Sequence, residues 1–491
     1  MHYGSAVARR VGLFGRDRSG SFAIMTAMVA AVITLSAGFA VNLAQLYNVR
    51  SSLRQALDSA VTSTARDITT GKIKTEDARD WVERFLKANG DPTFMSGDRL
   101  VLDRLTIDKA RNTIEVAGYV DVDIYFPLFG LSKQRRVTNV SAAIYADKDI
   151  EVAMMLDVTG SMGAIRTTDK IGDLKMAAEN AVKTMLQYQD PKNPRVRVAL
   201  VPYASGVNVG DLADSIYAER SSKSDLPPAA DDPVIGGKKG STELPAFGKY
   251  VSMVNSAFPR EDNCATERKD KNGSADFTDD SPDTIRINKQ NKKYYALVNR
   301  DDNLSGSGMN KCPDAKIVPM TADQDVLLES IGKFKASGYT AGAIAVQWTY
   351  YMLSPKWRNT IKNAGLGNGP ANHDKRKVSK VAILMTDGQF NTAFAGVSSG
   401  FNRQDSKTRQ NAESICKNMK DDGIEIYTIG FDLNNRDMSR EEREAAKGVL
   451  KNCATADSSA IKHYFEASTG EELDAAFREI IANTERLALT Q

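Results

Sequence analysis

Histidine and cysteine are scarce in this chain, and each shortage narrows the chemistry open to it. The 491 residues hold three histidines, His2, His373 and His463, far apart in sequence. Each reads as a surface or packing residue rather than a metal ligand. There are four cysteines, and their spacings do not match a zinc site. An excess of one charge is also missing. Lysine and arginine (65) nearly balance aspartate and glutamate (62), for a net +3, and the basic residues are scattered among acids. No basic face and no aromatic–basic clustering therefore points to nucleic acid. The chain also lacks a P-loop, a Gly-x-Ser-x-Gly elbow and a His-Glu pair at metalloprotease spacing. Nucleotide hydrolysis, serine hydrolysis and zinc proteolysis lose their usual signatures together.

One long stretch does lack charge altogether, and it fixes a location. No charged residue interrupts Ser21 to Tyr47, and Phe22 to Ala40 is almost wholly apolar, with Val41 to Leu46 extending it past Asn42. That length spans a bilayer as a helix. Arg9, Arg10, Arg16 and Arg18 precede it, and Arg50 and Arg54 follow. The excess in front predicts a cytoplasmic N-terminus (residues 1–21), a transmembrane anchor at 22–46 and a bulk outside the cytoplasm. A cleaved signal peptide is the alternative. Its apolar core would be shorter, and Gly38-Phe39-Ala40 is a poor cleavage site.

The apolar stripe continues at helical spacing through Leu46, Leu53, Leu57, Val61 and Ile68, so the helix is expected to run on to about residue 68. Residues 69–148 then read as a small α+β stalk. It comprises a helix over Thr75 to Ala88 and period-two strands in TIEVAGYVDVDIYF and VTNVSAAIYA. An extracytoplasmic position favours disulfides. Cys264 with Cys312 and Cys416 with Cys453 are the sequence-local pairs, although four cysteines allow three connectivities. Four reduced, buried thiols are the alternative.

From residue 149 to 491 strand and helix signals alternate: IEVAMML, IGDLKMAAENAVKTMLQ, VRVALVPYA, later KVAILMT, DSKTRQNAESICKNMKDDG and IEIYTIGF. Alternating βα units predict an α/β fold with a doubly wound parallel sheet. Residues 205–319, rich in Asp, Lys, Asn, Ser, Gly and Pro, read as a long surface insertion rather than a core element.

The chemistry concentrates in three loops. Asp157, Thr159 and Ser161 in LDVTGSM follow one apolar run. Asp387 in ILMTDGQFN follows another, and Thr340 lies in SGYTAGA. Loops after parallel strands gather at one sheet edge, where ligands bind. Two carboxylates and three hydroxyls are hard oxygen donors that suit Mg²⁺ or Mn²⁺. Taken singly, each loop also has a bland reading: an Asx or Ser turn for DVTGS, a helix N-cap for Thr340, a plain turn for Asp387-Gly388. Together they resemble the metal-ion-dependent adhesion site of von Willebrand factor A (VWA) domains. That resemblance implies a metal that attracts a further carboxylate from a protein partner, and no catalysis. DVTGS is also similar to the DKTGT phosphorylation loop of P-type ATPases and haloacid dehalogenase-like enzymes, with Asp157 as nucleophile. Val158 replaces the lysine, however, and no later Gly-Asp-Gly with Asn-Asp appears.

The whole chain resembles TadG-like proteins of bacterial Tad/Flp pilus assembly systems. The resemblance is carried by RDRSGSFAIMTAMVAAVITLSAGFAVNLAQLY, the LFG at Leu128 to Gly130, NVSAAIYA, LDVTGSM, NCATER, KCPDAKIVPMT, SGYTAGAIAVQWTYYMLSP, LMTDGQFNT, GIEIYTIGF and LDAAFREI. One departure stands out. Processed pseudopilins carry Glu at the fifth position after the cleaved Gly, and counting from Gly20 that position is Met25. The resemblance implies a single-pass inner-membrane protein with its bulk in the periplasm or at the cell surface. Its partners would be pilus assembly components, and its role pilus biogenesis, surface attachment or biofilm formation. A structural pilus-associated role, or an envelope scaffold that does not use the metal loops, is the alternative.

Overall fold

The computed structural model describes residues 19–69, 72–88, 100–109, 111–127, 133–145, 148–163, 169–187, 189, 194–216, 226–259, 262–299, 312–397, 405–434, 438–459 and 461–490. The four arginines before the apolar run and the LFG at 128–130 lie outside them. The chain divides into two compact units. One comprises residues 1–68 and 73–145, the other residues 69–72 and 146–491.

The first unit is built on one helix, α1 (Ser19–Thr69), and a short α2 (Ala78–Ala88). Three antiparallel strands, β1 (Val101–Asp108), β2 (Thr113–Asp123) and β3 (Gln134–Ile144), form its sheet in the order β1-β2-β3. The second half of α1 lays Leu53, Leu57, Ala60, Val61, Ala65 and Ile68 against Val82 of α2 and against Ile114, Val116, Val120 and Val122 of β2. Those β2 residues alternate, so one sheet face takes the helix. The helix comes so close that a Cβ on Gly118 would lie 3.2 Å from Leu57 Cδ2 and from the Val101 carbonyl. The first half of α1 is different. Among the described residues it is the one helix long and apolar enough to cross a membrane, and only 6 % of its most apolar window is buried. A core helix of a soluble protein would be mostly buried. A membrane span or a signal sequence fits the observation.

The second unit holds an eight-stranded sheet in the order β13-β12-β11-β4-β5-β6-β7, with β10 pairing on β5. Its strands are β4 (Asp149–Asp157), β5 (Val196–Tyr203), β6 (Val207–Asn208), β7 (Cys264–Ala265), β10 (Val318–Thr321), β11 (Val378–Thr386), β12 (Glu425–Phe431) and β13 (Tyr464–Ala467). β8 (Ile285–Ile287) and β9 (Lys293–Tyr295) form a separate ribbon. The sheet is mixed. The pairs from β13 to β5 are parallel, whereas β6, β7 and β10 pair antiparallel. The expected doubly wound parallel sheet is thus present only in part.

Helices cover both faces. Met154 and Leu156 point to the side of α3 (Lys170–Leu186), α5 (Gln324–Gly332) and α10 (Gly470–Thr490), through Leu174, Leu327 and Phe477. Ala153 and Met155 point to the side of α6 (Gly342–Leu353), α8 (Asp405–Asp421) and α9 (Arg440–Cys453), through Ile344, Ile415 and Val449. The remaining helices are α4 (Phe247–Ala257) and α7 (Arg358–Asn363). A strand buried on both faces reads as a continuous apolar run, as β4 and β11 do.

The segment 205–319 departs from the surface insertion expected. Its Val207, Leu212 and Val298 belong to the main core, and β6 and β7 extend the sheet. The reason lies in α6, in which every residue is buried. A helix buried all round needs a cover on each side. Part of that cover comes from this segment, where the Thr266 and Thr278 carbonyls accept hydrogen bonds from Trp348 Nε1 (3.2 Å) and Gln347 Nε2 (2.9 Å). Cys264 is bridged to Cys312 within the segment, and Cys416 to Cys453 between α8 and α9.

Candidate metal centre

Asp157 is the last residue of β4, and Asp387 follows the last residue of β11, its parallel neighbour. Sheet order therefore brings together two carboxylates 230 positions apart, at the carboxyl edge of the sheet. Both are buried. Asp157 Oδ1 accepts from Thr159 N (2.9 Å) and Thr159 Oγ1 (2.6 Å). Thr159 Oγ1 lies 2.9 Å from Ser161 Oγ, and Ser161 Oγ lies 2.6 Å from Asp387 Oδ1. Four of the residues expected at the site thus form one chain of oxygens.

That chain is short of protons. Thr159 and Ser161 carry one hydroxyl proton each, and three oxygen–oxygen contacts link the four side chains. With both carboxylates ionised, one contact faces acceptor against acceptor. A divalent cation resolves such a surplus, and so does a proton on Asp387. Burial, then the neighbouring charge of Asp157, pushes Asp387 up to about 6, against the opposing pull of Lys170 and the Ser161 hydroxyl. The donor set therefore fits a hard cation: converging carboxylate and hydroxyl oxygens with more lone pairs than protons.

Thr340 occupies a different place. Its loop is bound to the first loop by Gly160 N to the Gly338 carbonyl (2.9 Å) and Ser337 N to the Val158 carbonyl (2.9 Å). Asn391 clamps its backbone from both sides, with Thr340 N donating to Asn391 Oδ1 (3.0 Å) and Asn391 N to the Thr340 carbonyl (2.9 Å). Among the described residues, its hydroxyl makes no hydrogen bond to the other four side chains. It is not a helix cap either, since α6 is capped at Ala341 without a side chain. Gly342 makes the close packing of the second and third loops possible, because a Cβ there would fall 2.0 Å from the Phe390 ring.

Several residues around this centre carry no motif. Tyr203 Oη and Thr386 Oγ1 each donate to Asp157 Oδ2 at 2.8 Å, and they orient that carboxylate from behind. Burial, then the Asp157 charge, holds the Tyr203 phenol well above its ordinary value, so it stays a donor. Lys170, at the first position of α3, places a buried Nζ 3.1 Å from Asp387 Oδ2 and 3.0 Å from Asp432 Oδ2. Burial lowers its affinity for a proton, but the two aspartates outweigh that and its pKa is raised. One sequence signal could have singled Lys170 out: a cation in the first turn of a helix opposes the helix dipole and needs an anion nearby.

A second group with metal-ligating side chains, Asp279, His373 and Asp422, lies elsewhere in this unit. Its carboxylates are already engaged. Asp279 accepts from Lys356 Nζ (2.7 Å) and the Ser354 hydroxyl (2.5 Å), and Asp422 accepts from the Tyr350 hydroxyl (2.6 Å). It reads as an ion-pair network.

No family model and no curated protein matches the chain. Among solved structures it is similar to the pilus adhesin SpaC of Lactobacillus rhamnosus GG, at 13 % identity and a TM-score of 0.35 over 81 % of this chain and 37 % of that one. It is also similar to the vWF domain of Mfa5, a type V pili tip protein of Porphyromonas gingivalis, at 13 % identity and a TM-score of 0.35 over 70 % of this chain and 97 % of that one. A third is the adhesive tip pilin GBS104 of Group B Streptococcus agalactiae, at 10 % identity and a TM-score of 0.31 over 79 % and 70 %. The chain spans little more than a third of the length of SpaC. Likeness this distant fixes neither the fold nor the activity of the chain.

Proposed function

We propose that this chain is a membrane-anchored, extracytoplasmic TadG-like protein of Tad/Flp pilus assembly that captures a partner through a divalent metal. Asp157, Thr159, Ser161 and Asp387 hold Mg²⁺ or Mn²⁺ at the carboxyl edge of the sheet, with the Thr340 loop packed alongside. The observation that carries this reading is the run of four oxygen-bearing side chains with fewer protons than contacts. When bound, the metal supplies an open coordination position for a carboxylate of a partner protein. Lys170 offsets much of the negative charge of Asp387, so a dication retains attraction for that carboxylate. The anchor and the place in pilus biogenesis rest on the uncharged N-terminal helix and on the sequence resemblance.

A second reading is favoured by the same lysine. Its ammonium already lies against Asp387 and could do the electrostatic work of a metal, leaving the domain a structural scaffold. Mg²⁺ and Mn²⁺ titration calorimetry on the detergent-solubilised chain separates the two. Metal-mediated capture predicts saturable binding that Asp157→Ala abolishes at an equal folded fraction, and that Lys170→Met strengthens several-fold. A flat trace for both wild type and Lys170→Met, with the domain folded, rejects the metal and leaves the scaffold.

A further inference from the structure

The loop that carries Asp387, residues 387–397, is buried for most of its length. Phe390, Thr392, Ala393, Phe394 and Ala395 are each at most 1 % exposed. A buried loop holds backbone groups that water does not reach, and each needs a partner within the protein. Two of these groups find the same one. Phe394 N and Ala395 N donate to Glu267 Oε1, at 2.7 and 2.8 Å. Glu267 is itself buried, and it belongs to the segment 205–319 rather than to any of the three metal loops. Its other oxygen, Oε2, has no hydrogen-bond partner among the described residues.

Glu267 stands on a fixed base. Just before it, Cys264 and Ala265 form β7, and Cys264 is bridged to Cys312. Thr266 N donates to the Asn299 carbonyl (2.8 Å), and Lys269 N donates to Asn299 Oδ1 (3.0 Å). The Thr266 carbonyl accepts from Trp348 Nε1 of α6 (3.2 Å). On the other side, the clamped residues lead back to the metal loops. Three positions before Phe394, Asn391 holds the Thr340 backbone from both sides. Asp387 lies four positions before Asn391. The loop is thus fixed at its start by β11, in its middle by the bonds between Asn391 and Thr340, and near its end by Glu267. Burial pushes the Glu267 carboxyl up, against the pull of backbone N–H groups and of Lys269, so a neutral amide is a close stand-in for it.

We infer that Glu267 is a positioning residue of the metal centre: by accepting from Phe394 and Ala395, it fixes the loop that carries Asp387 and that binds the Thr340 loop. This rests on the metal-binding reading of the site. Glu267 acts through the loop backbone and not on the metal itself, as groups behind the ligands of a metal site do. The segment 205–319 is then part of the binding machinery and more than a cover for α6.

The test uses the detergent-solubilised full chain and two variants. Glu267→Gln keeps an acceptor oxygen, and Glu267→Ala removes it. Amide hydrogen exchange is read first, on metal-free protein. In Glu267→Ala, exchange is expected to quicken at Phe394 and Ala395 and also at Asn391, whose N–H bonds to the Thr340 carbonyl, while β4 and β11 keep their protection. Mn²⁺ titration calorimetry is read second. A loop in its binding arrangement only a tenth of the time binds about tenfold more weakly, so that loss is expected for Glu267→Ala, with Glu267→Gln within about twofold of wild type. Unchanged Mn²⁺ affinity in Glu267→Ala overturns the inference and leaves the metal reading standing. So does quicker exchange at Phe394 and Ala395 that stops short of Asn391. Equal weakening by both variants means that charge acts rather than the acceptor, and also overturns it. A wild type that binds no Mn²⁺ rejects the metal reading and this inference together. Should Glu267→Ala lose protection in β4 and β11 as well, Glu267→Asp takes its place under the same criteria, since its shorter side chain draws the acceptor back from the loop.

Discussion

The two units of this chain bury apolar surface in opposite ways. In the first, a helix of 51 residues packs only its second half on one face of a three-stranded antiparallel sheet. Its first half offers Phe22, Met25, Met28, Val32 and Phe39, each more than half exposed, to whatever surrounds it. In the second, parallel strands are buried on both faces, and one helix, α6, is buried on every side. The same apolar density therefore has two meanings. With a cover available within the chain it becomes core, and without one, near the N-terminus, it marks a candidate membrane span or signal sequence.

Substitutions that tell the units apart sharpen this contrast. The largest effect is expected from Trp348→Ala, at the centre of the second unit, where the ring packs against Tyr351 and Trp357. Losing it should cost about 3–5 kcal/mol. Hydrogen exchange should register that loss in β4 and β11 and leave β2 unchanged. Equal loss of protection in β2 would mean the units unfold as one.

A smaller effect is expected in the first unit. Gly118→Ala pushes a methyl against Leu57 and the Val101 carbonyl and should cost about 1–3 kcal/mol through overpacking. Exchange in β2 should report it, and Leu57→Ala in the same chain should recover part of the penalty. Strict additivity of the two would show that helix and sheet do not meet there.

The smallest effect concerns the metal loops. Burial raises Asp387 to about 6, above its unfolded value of roughly 4. A carboxyl raised on folding adds stability below its unfolded pKa, and that contribution disappears as pH rises through the folded value. Metal-free protein should therefore melt a few degrees lower at pH 7 than at pH 5 from this group alone. Mg²⁺ should recover the difference at pH 7 and add little at pH 5, because binding needs the ionised carboxylate. Thermal unfolding with and without Mg²⁺ at both values tests this, and Asp387→Asn should flatten the dependence.

The elements were more legible than their partnerships. β4 and β11 stand out as apolar runs, and Asp157 and Asp387 stand out because each ends such a run. Helix α6 is buried on every side. What buries it did not show, because the segment 205–319 is polar on average and its few apolar side chains are spaced too irregularly to mark a core. Lys170 was hidden for a plainer reason. It is one of 65 basic residues, and its place at the start of a helix becomes unusual only once two aspartates are seen beside it.

Sequence alone determined what depends on neighbours along the chain: the length of the uncharged helix, the period of the strands, and the oxygen donors in the loops after them. Tertiary structure decided which of those donors meet. Ser161 reaches Asp387 across 226 positions because β4 and β11 lie side by side in the sheet, and Asn42 reaches Phe126 because the hairpin lies along the helix. Strand order and helix packing are set by the joint burial of many side chains, and no local pattern contains that sum.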